Sequence, residues 1–178
     1  LLSLIIEAGV PSALALEAWV GPLDGIQDFE IGTGAIEVKA TLSAVGFPAR
    51  IGSLEQLDDS VRQPLFLAGI RLRQISNGKN LPDFISELRQ SITGDAEAER
   101  LLSERLIAAG YFADHADRYP RRFDVVSTRI VEVTEGFPRL TPGRVPQGIS
   151  KALYEIDFDR APGVNIGTTE ALKKLEAI

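Results

Sequence analysis

Apolar and polar positions along this 178-residue chain switch repeatedly between two periods. Residues 1–8 are apolar with helical spacing and are stopped by Gly9 and Pro11, the signature of a helix end. The run ALALEAWVG (13–21) suits either period; its 17–20 part, closed by Gly21-Pro22, reads as a first strand. After a turn at Leu23-Asp24-Gly25, residues 26–31 and 35–41 alternate with period two around Gly32-Thr33-Gly34, the pattern of a β-hairpin. A short strand is expected at 48–53 and a helical turn within 53–63. Residues 65–72 form a long apolar run, as in a strand buried on both faces.

The second half begins with turn chemistry at 76–80 (SNGKN). Pro82 suits the first turn of a helix, with Asp83 near its positive end and Gly94 closing it. Residues 96–109 carry the clearest helical spacing, with Gly110 past the end. A polar loop (ADHADRYPRR) leads to an alternating strand at 123–134, a Pro- and Gly-rich loop at 135–148 and a further strand at 153–158. The polar segment from Asp159 is expected to pack loosely until a short helix in TTEALKKLEAI, capped by Thr168 or Thr169. Strands, then two helices, then more strands make an α/β chain: a mixed β-sheet flanked by helices, with additional C-terminal strands. One domain is expected over 1–159, with 160–178 as a tail bearing a short helix.

The hairpin places its charges. Phe29 and Ile31 face one way, Asp28 and Glu30 the other; Ile36, Val38 and Ala40 oppose Glu37, Lys39 and Thr41. Directly opposed residues in an antiparallel pair share a face, so joining the apolar sides requires partner numbers with an odd sum. That fixes an even loop of two residues (Gly32-Thr33 or Thr33-Gly34) or of four, and sets Asp28 beside Glu37 or Lys39. Two readings of this cluster stand. It is the wet face of a sheet, where cross-strand charge pairs contribute about 0.2–1 kcal/mol. Or it is a site: adjacent carboxylates resist ionisation unless a cation lies between them. Asp28, Glu37 and the Val38 carbonyl would then supply oxygen ligands to Mg²⁺ or Mn²⁺, and Lys39 would hold a water, the chemistry of phosphodiester hydrolysis.

Composition narrows the choice. Cysteine is absent and His115 is the sole histidine, which excludes thiolate zinc sites and argues against multi-histidine metal sites and a Ser–His–Asp triad within this chain. Cysteine-free composition fits a reducing cytoplasm. No apolar run approaches the ~18 residues of a membrane span, and the N-terminal apolar stretch lacks the basic start of a signal peptide. Methionine is also absent, an initiator included, which suggests a fragment of a longer chain. The net charge of −6 argues against strong nucleic-acid binding, yet 118–151 carries +4, leaving −10 elsewhere, so a local basic surface is open to it.

An acid, then Glu-x-Lys on a hairpin, resembles the PD-(D/E)XK nuclease superfamily. EAWVGPLDGIQDFEIGTGAIEVKAT, GSLEQL, AAGYFADHADRYPRRF, EGFPRLTP and GISKALYEIDF resemble successive blocks of the uncharacterised bacterial PD-(D/E)XK motif proteins, over about 1–159. The resemblance implies a restriction-endonuclease-like core and Mg²⁺- or Mn²⁺-dependent cleavage of DNA, in restriction or phage defence. It implies Asp28 and Glu37 as metal-binding acids, Lys39 as the catalytic lysine and Gln56 as an extra polar site residue. DNA is the implied partner, with a second copy of the chain or defence-system proteins beside it. The superfamily's proline before the first acid is Gln27 here, and a further acid of its first helix would fall just before Leu1. The alternative is a catalytically inactive nuclease fold that binds DNA or protein in a defence complex. A third option, a carboxylate-metal enzyme acting on a small molecule, requires a deep closed pocket.

Thr41, on the face of Lys39, is a candidate phosphate ligand, and Arg121 and Arg122 are candidates for gripping a DNA backbone. Glu7 and Glu30 are each open to a site role or to an exposed position. His115 is expected on the surface and Trp19 in packing.

Overall fold

The computed structural model describes residues 1–178. Helices α1 (Leu2–Glu7) and α2 (Ser12–Ala18) precede the hairpin of β1 (Phe29–Ile31) and β2 (Gly34–Thr41). Strands β3 (Pro48–Ile51) and β4 (Leu65–Lys79) follow, then helices α3 (Leu81–Ser91) and α4 (Ala96–Ala108). The chain ends with β5 (Phe123–Glu132), β6 (Tyr154–Asp157) and α5 (Thr168–Lys174). A mixed sheet runs β1-β2-β4-β5, with β2 and β4 parallel and the outer pairs antiparallel; β3 and β6 form a second, two-stranded antiparallel sheet. This is the α/β arrangement of a mixed sheet flanked by helices, with additional strands.

Alternation along the strands divides the core in two. Ile36, Phe66, Ala68 and Ile130 face the helices, packing with Ile5, Leu16, Leu102 and Leu172. Ala35, Leu65, Leu67 and Val131 face the small sheet and its aromatic residues Phe47, Phe137 and Phe158. Each apolar strand segment is therefore covered on both sides, which accounts for the long apolar run in β4. Gly69 admits this second layer: a Cβ there would lie 2.7 Å from the Phe158 ring and 2.9 Å from that of Phe47.

Several elements differ from expectation. Residues 17–20 are not a strand; α2 occupies 12–18, burying Ala15, Leu16 and Ala18, and only Trp19 makes an isolated bridge, to Phe29. An Ala/Leu run satisfies both periods, and packing against α4 decides it here. The expected turn at 76–80 is an excursion within β4: Gln74 and Lys79 both pair with Phe123. Asn80 then caps α3 reciprocally with Asp83. Residues 53–63 hold no helix, only a single hydrogen-bonded turn at 55–58; Leu54 and Leu57 anchor an otherwise irregular loop. Gly167, not Thr168 or Thr169, occupies the cap position of α5. That helix is not peripheral: Ala171, Leu172 and Leu175 are fully buried, and the Leu175 carbonyl accepts a hydrogen bond from the Thr33 N–H at 2.8 Å. No helix is long and apolar enough to cross a membrane.

Candidate active site

The hairpin register is Phe29↔Ile36, Glu30↔Ala35 and Ile31↔Gly34, so the loop is Gly32-Thr33 and partner numbers sum to an odd value. Extending it by one residue sets Asp28 opposite Glu37. The Val38 N–H donates to Asp28 Oδ2 at 2.8 Å, closing the end of the hairpin through a side chain. N–H and C=O of a strand residue project to the same side, so the Val38 carbonyl also points away from β4, toward Asp28. Gly21 makes room for this acid: a Cβ there would stand 2.7 Å from Asp28 Oδ1.

Glu37 lies in a cross-strand row with Leu67 and Val131, both fully buried, and is itself only 2% exposed. The wet-face reading fails at this residue, because the alternating face of β2 meets a second layer instead of solvent. Lys39 Nζ lies 2.6 Å from Glu37 Oε1 and donates to Gln56 Oε1 at 3.2 Å. Gln56 Oε1 also accepts from the Gly52 N–H at 2.8 Å. Both neighbours are donors, which fixes the orientation of the amide and leaves its Nε2 without a protein partner. Asp28, Glu37, Lys39 and Gln56 thus converge at one end of the hairpin.

Electrostatics follow from burial. Desolvation raises the Glu37 pKa from 4.5 to about 7, with the Lys39 ammonium pulling it down and Asp28 pushing it up. Asp28 is also raised, first by desolvation, against the Val38 hydrogen bond and Lys39. Two acids share one lysine, an excess of negative charge in a poorly solvated place. Two carboxylates beside the Val38 main-chain carbonyl fit a hard divalent cation that completes its shell with water and phosphate oxygens. No group of three or more His, Cys, Asp or Glu side chains that could hold a metal ion occurs in the protein.

The other candidates do not join this cluster. Thr41 shares the face of Lys39, but it is buried and its Oγ1 accepts from the Ser43 N–H at 3.1 Å. Arg121 donates to Gln74 Oε1 at 3.0 Å and lies over the Phe123 ring. Arg122 bonds the Gly78 carbonyl at 2.8 Å and Asp83 at 2.9 Å. Both sit at the far end of the β4–β5 ribbon. Lys39 pairs with Gly69 and Phe123 with Gln74, a separation of roughly 17 Å along the strand. Glu30 pairs with Arg62 at 2.6 Å, Glu7 is exposed on α1, His115 is exposed, and Trp19 stacks on Phe29. The protein's principal cavities are not lined by Asp28, Glu37 or Lys39, unlike the closed pocket a small-molecule enzyme requires.

Two residues beside the acids escaped the sequence reading. Gly21 looked like a strand terminator. Gln27 looked like a mere departure from proline, yet it is 7% exposed and donates from Nε2 to the Glu55 carbonyl at 3.1 Å. A lone amide in a polar turn gives no sequence signal for such a tie.

Comparison with known protein families gives one match: a family model described as "Putative PD-(D/E)XK family member, (DUF4420)" covers residues 1–159. No curated protein and no solved structure matches.

Proposed function

The chain belongs to the DUF4420 family of the PD-(D/E)XK superfamily, and from that premise we propose that it is a metal-dependent nuclease hydrolysing DNA phosphodiester bonds, acting in restriction or phage defence. The observation that carries the reading is the convergence of Asp28, Glu37 and Lys39, with Glu37 buried and 2.6 Å from the lysine. Asp28, Glu37 and the Val38 carbonyl would hold Mg²⁺ or Mn²⁺. A divalent cation bound there supplies positive charge against phosphate oxygens and acidifies a water.

The remaining work falls to this chain's own groups. Lys39 Nζ, held against Glu37 and Gln56, stands where it can contact an attacking water or the scissile phosphate. Gln56 restrains the lysine through its Oε1 and offers its free Nε2 to a phosphate oxygen. Burial of Glu37 keeps bulk water from competing for the cation.

Cleavage of plasmid DNA with Mg²⁺ or Mn²⁺ tests the reading. Wild-type protein is expected to cut, and Lys39→Ala to lose at least about a hundredfold in rate, the scale of one positioned proton-handling or charge-stabilising group. No cutting by the wild type with either metal, together with retained DNA binding, would overturn it in favour of an inactive binding module.

A further inference from the structure

The loop between β3 and β4 supplies Gln56, whose side chain is held within the loop by the Gly52 N–H, yet little within the loop holds its main chain in place. Across residues 52–64 the internal main-chain ladder is one bond, Asp58 N–H to the Glu55 carbonyl at 3.0 Å. Ser53 and Asp58 add local side-chain turns. External ties hold the end of the loop, through Arg62 to Glu30 at 2.6 Å and the Ala35 N–H to the Pro64 carbonyl at 3.1 Å, and near Gln56 they fall on the flanking carbonyls. On one side Gln27 Nε2 donates to the Glu55 carbonyl at 3.1 Å and, more weakly, to that of Gln56 at 3.5 Å. On the other, Arg139 Nη1 bonds the Leu57 carbonyl at 2.8 Å and Asp59 at 2.8 Å. Gln27 directly precedes Asp28, so one buried side chain links the backbone bearing the first acid to the backbone bearing the amide that restrains Lys39.

We propose that Gln27 is a positioning residue for Lys39: by holding the main chain at Glu55–Gln56 it fixes the Gln56 side-chain oxygen, which in turn aims the ammonium between Glu37 and the space beside Asp28. Buried polar side chains are retained where their hydrogen bonds are satisfied, and Gln27 spends its donor on this loop alone. A proline at this position has no donor and leaves the loop held by Arg139, Leu54 and Leu57. The structural part of the proposal stands by itself; its effect on cleavage rests on the nuclease reading.

The Gly52 N–H reports the position of Gln56 directly, because it donates to Gln56 Oε1. In full-length Gln27→Met, which keeps length and loses the donor, amide exchange at Gly52 is expected to quicken roughly five- to tenfold, the worth of one such bond. Phe66 and Leu67, deep in the sheet, should exchange at the wild-type rate. Should that variant not fold, Gln27→Asn, one methylene shorter, is expected to show the same change. An unchanged Gly52 rate in the folded variant means that Leu54, Leu57 and Arg139 suffice, and overturns the proposal. In plasmid cleavage, Gln27→Met should lower kcat with KM for DNA unchanged, and should cost nothing further in a Gln56→Met background. Multiplying losses in the double variant would place Gln27 on a separate path and overturn the coupling. If the wild type does not cleave, the nuclease reading fails, while Gly52 exchange still decides the role of Gln27.

Discussion

Replacing Glu37 by glutamine keeps the shape of a nearly inaccessible side chain and removes its charge. The wild-type carboxyl has a folded pKa of about 7 against 4.5 for a glutamate side chain free in water. A carboxyl whose folded pKa is raised holds its proton more tightly in the native state. Its contribution is fully present below about pH 4.5 and is lost as pH rises through about 7. Integrating between those limits, the metal-free wild type gives up roughly 1 kcal/mol by pH 5 and about 3 kcal/mol by pH 8, relative to its acid form. Glu37→Gln mimics that acid form at every pH. Asp28 titrates in both proteins with the same sign, and the remote ion pairs are common to both, so they largely cancel in the difference.

Urea unfolding in chelator, followed from about pH 5 to about pH 8, measures this difference. The variant should be close to the wild type in acid and more stable by about 3 kcal/mol in mild alkali. Millimolar Mg²⁺ should then restore the wild type at the alkaline end and leave the variant unmoved, since a ligand of the native state stabilises it in proportion to occupancy. Parallel stability curves for the two proteins, or a variant that falls faster than the wild type as pH rises, would refute the argument that burial dominates over the lysine at Glu37.

Gly69→Ala should cost about 1–3 kcal/mol by forcing apart two layers in contact, read as a lower urea midpoint with an unchanged slope. Leu172→Ala, in a side chain with no exposed surface, should cost about 2–5 kcal/mol; a change near zero would show that α5 is not part of the core. In DNA binding, Arg121→Ala should flatten the dependence of log K on log salt by about one phosphate contact. Arg122→Ala should not, because Asp83 already neutralises that guanidinium; equal effects would put both on the DNA path.

The hairpin was legible because Phe29 and Ile36 have to share a core, and that single condition fixed the parity of the register. The burial of Glu37 was not. Period two along a strand suggests one wet face, whereas β2 is covered on both, by helices from each end of the chain and by a small sheet that pairs Ala49 with Ile156. Nothing local to GAIEVKAT encodes a layer assembled from such distant residues. The same distance hid the docking of α5: Ala171, Leu172 and Leu175 mark an apolar stripe, but not what it covers. Gln56 entered through a family resemblance, since a glutamine in an irregular loop has no periodicity to read. The tie from Gln27 to the Glu55 carbonyl was invisible for the same reason.

Two partly buried charge clusters in this protein invite comparison. Arg139 and Asp59 balance one to one, with the Leu57 carbonyl accepting a further bond from Arg139 Nη1 while Nε has no partner, and they join two loops. That pair has a structural purpose. At Asp28, Glu37 and Lys39 the charges do not balance, and Glu37 occupies a row whose other members, Leu67 and Val131, are apolar. An apolar residue would fill the position of Glu37 at no electrostatic cost, and replacing buried ion pairs in this way is often neutral or stabilising. An acid there, opposite a second acid and beside a lysine restrained by an amide, works against stability in the metal-free fold. A cation bound there would reverse that sign, because it would convert the repulsion between Asp28 and Glu37 into shared coordination. The charge imbalance is therefore the physical reason to look for function at this end of the hairpin instead of in any larger cavity.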